Sequence, residues 1–159
     1  LQFNPQRVNL HNLVNEVLNL YVEMARQKNI TIKLKMEKDL TAWCDYQLVM
    51  IIFRNLISNA QKFTYEGGNI SISGSGFQQQ NQALLIVEDD GKGMPTEKIL
   101  ELRQSEKLIS TYGTDNEKGS GLGLKLCYEL TRINKGTLKI SSEEGKGTRV
   151  SLILPLRPE

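Results

Sequence analysis

Apolar residues recur at Leu10, Leu13, Val14, Val17, Tyr21, Met24 and Ala25, the three- and four-residue spacing of an amphipathic helix, here predicted from about 10 to 28. Asn9 precedes that run and is a suitable N-cap. The period then changes to two. Ile30, Ile32, Leu34 and Met36 alternate with Thr31, Lys33 and Lys35, which predicts a strand with one buried face. Asp45 offers an N-cap to a second, strongly apolar helix over 46–63. Gly67-Gly68 turns the chain into a strand near 69–73, and the polar stretch 78–82 separates it from the apolar run 83–87, so a hairpin is expected.

Pro95 suits the first turn of a short helix ending near Leu102. Residues 103–118 are polar and show no period of their own, the mark of a functional lid or an unstructured loop. A glycine cluster at 119–123 leads into a helix reaching about Asn134, with Gly136 as its expected stop. Two strands follow, over 137–142 and 148–154, joined through Gly145-Lys146-Gly147. Three substantial helices can cover only one face of such a sheet. The expected fold is an α/β two-layer sandwich, a mixed β-sheet with about three helices packed on one face.

Composition narrows the function. The 159 residues, 39% hydrophobic and 24% charged, suit one globular domain spanning 1–159. A net charge of +2 is too even to suggest a nucleic-acid or membrane surface. One histidine, His11, and two cysteines, Cys44 and Cys127, cannot supply the four ligands of a structural zinc site. The cysteines sit in apolar stretches and read as reduced core thiols, so a cytoplasmic setting is expected. The longest apolar run, 48–53, is far shorter than the roughly 20 residues of a membrane helix. The chain opens without methionine, as a piece of a longer protein would, and the membrane anchorage of that protein stays open.

The chemistry concentrates in three segments. On the second helix, Asn55, Asn59 and Lys62 share one edge at about 100° per residue. An amide carbonyl suits Mg²⁺ when phosphates carry most of the negative charge, and a lysine beside it neutralises a phosphate; an exposed polar helix edge is the plain alternative. After the apolar strand comes Glu88-Asp89-Asp90-Gly91-Lys92-Gly93-Met94. Its glycines let backbone approach a ligand, and Asp89 could accept from an exocyclic amine, as in a purine pocket, or the segment is an ordinary acidic turn. Third, Lys118-Gly119-Ser120-Gly121-Leu122-Gly123 opens a helix, whose N-terminal N–H groups make an anion site, unless the run is only a glycine-rich hinge. The spacing is neither the dinucleotide fingerprint nor a P-loop.

In this order the segments resemble the C-terminal catalytic and ATP-binding domain of sensor histidine kinases. Asn55 to Thr64 resembles the N-box; Asp89, Gly91 and Gly93 the G1 box; Gly119 to Leu124 the G2 box; and Gly145-Lys146-Gly147-Thr148 with Leu152 to Pro155 the closing strand. The resemblance implies the Bergerat fold, with ATP and Mg²⁺ as cofactors. It implies that Asn59 coordinates Mg²⁺, Asn55 lies beside the reacting phosphate, and Lys62 contacts a phosphate. Phe63 would lie against adenine and Asp89 accept from its amino group. Gly91, Gly93 and Thr148 would line that pocket, with Lys118, Gly119, Ser120, Gly121, Leu122 and Gly123 around the phosphates.

Residues 103–118 would then be the ATP lid and 1–9 the end of an upstream linker. The family's F-box phenylalanine has no counterpart, and Leu102, Leu108 or Ile109 would fill its apolar role. His11 lacks the acidic neighbour of a phosphoacceptor, so the γ-phosphoryl group would pass to a histidine on a separate dimerisation domain. A response-regulator receiver domain would be the further partner, and the full-length protein a homodimer. Two alternatives stand beside this reading: a silent nucleotide-binding or scaffold module, and a related Bergerat-fold ATPase. Hydrolytic relatives use a glutamate base in the N-box helix, where this chain has Asn55 and no glutamate before Glu66.

Overall fold

The computed structural model describes residues 2–105 and 122–158. In chain order the elements are β1 (Gln6–Asn9), α1 (Leu10–Gln27), β2 (Thr31–Met36), β3 (Thr41–Cys44), α2 (Tyr46–Phe63), β4 (Asn69–Phe77), β5 (Gln82–Asp89), α3 (Thr96–Ser105), α4 (Leu122–Ile133), β6 (Thr137–Glu143) and β7 (Gly147–Pro155). Both expected N-caps form. Asn9 Oδ1 accepts from the Asn12 N–H at 2.8 Å, and Asp45 Oδ1 from the Leu48 N–H at 3.0 Å, each satisfying a donor that the first helical turn leaves open.

The main sheet has the order β2-β4-β5-β7-β6, with β2 parallel to β4 and the other neighbours antiparallel. It is the expected mixed sheet. Ile70 and Ile72 of β4, Ala83, Leu85 and Val87 of β5, Leu138 and Ile140 of β6, and Val150, Leu152 and Leu154 of β7 are buried at alternate positions, as one covered face requires. The covering layer contributes Leu13, Val14 and Val17 from α1, Ile52, Phe53 and Ile57 from α2, and Cys127 and Leu130 from α4. Burying each large aliphatic or aromatic side chain contributes about 1.5–3 kcal/mol before conformational entropy is subtracted.

Several expectations need correction. The short helix expected after Pro95 forms as α3 beside the three longer ones, but it runs on to Ser105 rather than ending near Leu102. Its last turn therefore includes Arg103, expected to begin the lid; residues 106–121, with the rest of that segment, lie outside the described residues. Leu102 is fully buried, whereas Leu108 and Ile109 lie outside the described residues. Met24 follows the helical period yet is 56% exposed. The strand near 69–73 continues to Phe77, since Gly74 and Gly76 leave space for the Leu40 side chain.

A two-stranded sheet went unanticipated. β1, in the segment expected to end a linker, pairs antiparallel with β3; four-residue strands carry too few alternations to declare themselves. The end of α4 also differs from expectation. Lys135, not Gly136, takes the left-handed conformation (φ 61°), with its N–H on Arg132 O and the Gly136 N–H on Thr131 O, the paired bonds of a Schellman ending. Gly136 is required for closeness instead, since a Cβ there would lie 2.3 Å from Ile153 O.

Candidate functional site

A narrow cavity opens between the helical layer and the sheet, lined by Leu56, Asn59, Ala60, Phe63, Val87, Asp89, Met94, Leu124, Thr148 and Val150. Its walls are mostly apolar, and Asp89, at the end of β5, is the carboxylate that lines it. Burial raises the Asp89 pKa above its usual value of 3.8; backbone N–H groups of Gly91, at 2.9 Å, and Thr148 oppose that rise, and the charges of Asp90 and Glu88 add to it. A half-desolvated carboxylate in an apolar slot seeks a donor. A heteroaromatic amine, flat enough for such walls, supplies one.

Glycines bring the backbone around Asp89 together. At Gly91 a Cβ would sit 2.1 Å from Phe63 O, and the next N–H, of Lys92, donates to that carbonyl at 3.0 Å. Gly93 is left-handed (φ 68°) and packs on Glu143 O, while Gly147 (φ 116°) packs on Asp89 O. The Gly145 N–H donates to Lys92 O at 2.7 Å. The loop after β5 and the turn between β6 and β7 are thus interlocked. Ser142 Oγ accepts from the Met94 N–H and donates to Gly147 O. Its single proton is spent, so in the 2.8 Å contact between the two hydroxyls Thr148 donates.

The edge of α2 carries the other expected residues. Asn59 lines the cavity and Phe63 lies at its rim, one turn on. Asn55 Nδ2 donates to Ile51 O at 3.0 Å, which turns its carbonyl oxygen outward; a Cβ on Gly123 would lie 2.8 Å from it. Asn55 thereby faces the first turn of α4. Lys62 is exposed, with Nζ 5.8 Å from the Phe63 ring centroid, and Lys92 Nζ is 5.1 Å from the same centroid.

The structure therefore gathers Asn59, Phe63, Asp89 and Thr148 around one cavity, with Gly91 and Gly93 shaping its end and Asn55 and Gly123 in contact beside it. Lys118, Gly119, Ser120 and Gly121 lie outside the described residues, and Leu122 is the first residue of α4. His11 is elsewhere, on α1, with Nδ1 3.1 Å from Asn15 Nδ2. Sequence reasoning did not assign Leu56, Val87, Met94, Leu124 and Val150 to the site, because a cavity wall and a core face share one hydrophobic period. Gly147 was visible as a motif glycine, but its contact with Asp89 was not.

Cys44 and Cys127 are buried free thiols, each with its pKa pushed up to about 12, chiefly by burial. Among the described residues no group of three or more His, Cys, Asp or Glu side chains could hold a metal, and no helix is long and apolar enough to cross a membrane.

Residues 44–158 match the family described as histidine kinase-, DNA gyrase B-, and HSP90-like ATPase. This chain belongs to that family. It is 32% identical over 151 residues to the sensor histidine kinase TmoS of Ectopseudomonas mendocina, a match covering 95% of this chain and 15% of TmoS. Among solved structures, the catalytic domain of histidine kinase ThkA superimposes with a TM-score of 0.82 at 26% identity, covering 99% of this chain and all of that one. A second structure holds ThkA in complex with the response regulator protein TrrA; there the TM-score is 0.76 at 24% identity, over 98% of this chain and 43% of that one. The histidine kinase-like ATPase domain thus spans only a small part of a curated relative such as TmoS. Its mixed sheet and helical layer are the fold of histidine kinase catalytic domains.

Proposed function

We propose that this domain binds Mg²⁺-ATP and donates the γ-phosphoryl group to a histidine on a separate helical dimerisation domain, as the catalytic part of a two-component sensor kinase. One observation carries the reading: a single cavity has the buried Asp89 carboxylate, Asn59 and Thr148 on its walls, with Asn55 turned toward the start of α4 beside it. Asp89 takes the amino group of adenine, the apolar walls take its faces, and the triphosphate runs along the α2 edge toward Gly123. Lys62 neutralises phosphate charge, and Asn55 lies beside the reacting group. Transfer then depends on positioning and charge neutralisation.

The donor chemistry fits Mg²⁺. Asn59 offers a neutral amide oxygen, and the described residues hold no acidic cage, so phosphates would supply most of the ligand charge. When bound, the ion would neutralise charge on the phosphate oxygens. Transfer rather than hydrolysis is favoured because the α2 edge presents Asn55, with no glutamate before Glu66. Buried free thiols suit a cytoplasmic setting. Within this reading the full-length protein is a homodimeric phosphoprotein with a response-regulator partner, of the kind that TrrA is in its complex with ThkA.

Two measurements test this. Saturating Mg²⁺-ATP should raise the melting temperature by mass action; no shift, together with no calorimetric heat, would remove the nucleotide reading. Joined to the histidine-bearing hairpin of its own full-length protein, the domain should place acid-labile phosphate on that hairpin and none on His11. Rapid hydrolysis by the lone domain would favour an ATPase instead.

A further inference from the structure

Lys92 stands between two glycines that tolerate no side chain, Gly91 against Phe63 O and Gly93 against Glu143 O. Its backbone is held at both ends, by the N–H on Phe63 O at 3.0 Å and the carbonyl receiving the Gly145 N–H at 2.7 Å. Only the side chain is free to respond to a ligand, and it is exposed. Its ammonium lies 5.1 Å from the centroid of Phe63, while that of Lys62, from the last turn of α2, lies 5.8 Å from the same ring. Neither lysine takes part in the ion pairs of the described residues. Two ammonium groups beside one ring offer a polyanionic ligand two cations at the edge of the cavity.

The ring they flank lines the cavity whose other wall carries Asp89. The site is therefore charge-separated, with an acceptor inside and paired cations on the rim. We infer that Lys92 is a specificity-determining residue for the nucleotide, forming with Lys62 a two-lysine rim around Phe63 that holds the phosphate chain of a ligand whose base lies at Asp89. The inference rests on the nucleotide reading above and adds to it a residue that reads the number of phosphates. A lysine that only shielded the ring would affect adenosine and ADP alike.

Calorimetric titration of adenosine, AMP and ADP into the parent domain, Lys92→Gln and Lys92→Arg separates these cases. With Lys92→Gln, ADP affinity should fall about fivefold, as the loss of one partly exposed ion contact implies. AMP should lose less and adenosine nothing. Lys92→Arg should restore ADP binding, and the salt dependence of ADP affinity should be shallower for Lys92→Gln than for the parent. Equal losses for adenosine and ADP, or no loss for any ligand, would overturn the assignment while leaving the nucleotide site intact. A parent domain that bound none of the three would overturn both.

Discussion

The backbone N–H of Asp45 donates to the side-chain carbonyl of Asn134 over 2.7 Å, tying the residue before α2 to the end of α4. Asn134 Nδ2 in turn donates to Leu130 O at 2.8 Å, and the Asp45 carboxylate receives the N–H groups of Asn4 and Leu48. These links fix the start of the helix bearing Asn55 and Asn59 against the helix bearing Gly123. Both residues are buried, so Asn134→Ala strands a donor out of reach of water. It should destabilise the domain by about 1–3 kcal/mol. Urea unfolding should show a lower midpoint at unchanged slope; an unchanged midpoint would mean that the helices are held by packing alone.

Asp89 should oppose stability while serving binding. Its pKa in the folded domain lies above 3.8, raised first by burial. Its neutral form is therefore favoured by folding. The associated stability is fully present below the unfolded value and is lost as pH rises through the folded one. At neutral pH the ionised group costs stability, and Asp89→Asn, which keeps an oxygen for the Gly91 and Thr148 N–H groups, should melt at the same temperature as the parent or higher. That advantage should vanish near pH 3, whereas adenine binding should fall at least about tenfold, the loss of one hydrogen bond to a charged acceptor. A variant less stable than the parent at neutral pH would contradict this account.

Two glycines near the site should behave oppositely. An Ala Cβ at Gly91 would meet the Phe63 carbonyl carbon and oxygen, backbone atoms with nowhere to go. Gly91→Ala should cost about 2–4 kcal/mol and abolish nucleotide binding. At Gly145 a Cβ meets nothing within 4 Å, and the penalty comes only from φ of 86°. Gly145→Ala should cost about 1–2 kcal/mol and leave affinity nearly unchanged. Paired thermal melts and ADP titrations distinguish steric from conformational loss.

Where one local feature decides structure, the chain is readable. Asn9 and Asp45 start helices because a side-chain acceptor three residues before a free N–H is a local fact, and the alternation in β5 marks its covered face directly. The amide edge of α2 and the glycines after β5 were likewise legible, because residue type and spacing carry their chemistry. What escaped depends on distant partners. Gln6–Asn9 becomes a strand only by meeting Thr41–Cys44, and Lys92 reaches Phe63 only because the chain folds back between them. Lys135 takes the left-handed position, while its neighbour Gly136 makes a close approach to Ile153 that no local pattern announces. The walls of the cavity come from α2, β5, the loop after it, α4 and β7, and in sequence their apolar contributions are indistinguishable from core.

The contact between Asn55 and Gly123 makes the sharpest test of how the α2 edge meets α4. With Nδ2 committed to Ile51 O, the Asn55 carbonyl oxygen points at Gly123, and among the described residues the three nearest atoms that a Cβ there would approach belong to Asn55, the nearest at 2.8 Å. Alanine is the better helix former, so Gly123→Ala should leave stability within about 1 kcal/mol of the parent. It must, however, push the amide aside. Phosphoryl transfer to the acceptor histidine should fall well before folding or adenosine binding does. Asn55→Ala should lower transfer as well, and it takes away the side-chain oxygen that the Gly123 Cβ would meet, so adding Gly123→Ala to it should cost little further. Transfer rates across this double-mutant cycle should therefore be strongly non-additive. Additive losses would mean that Gly123 acts through the phosphate chain and independently of Asn55, and would dissolve the coupling between the two helices at this point.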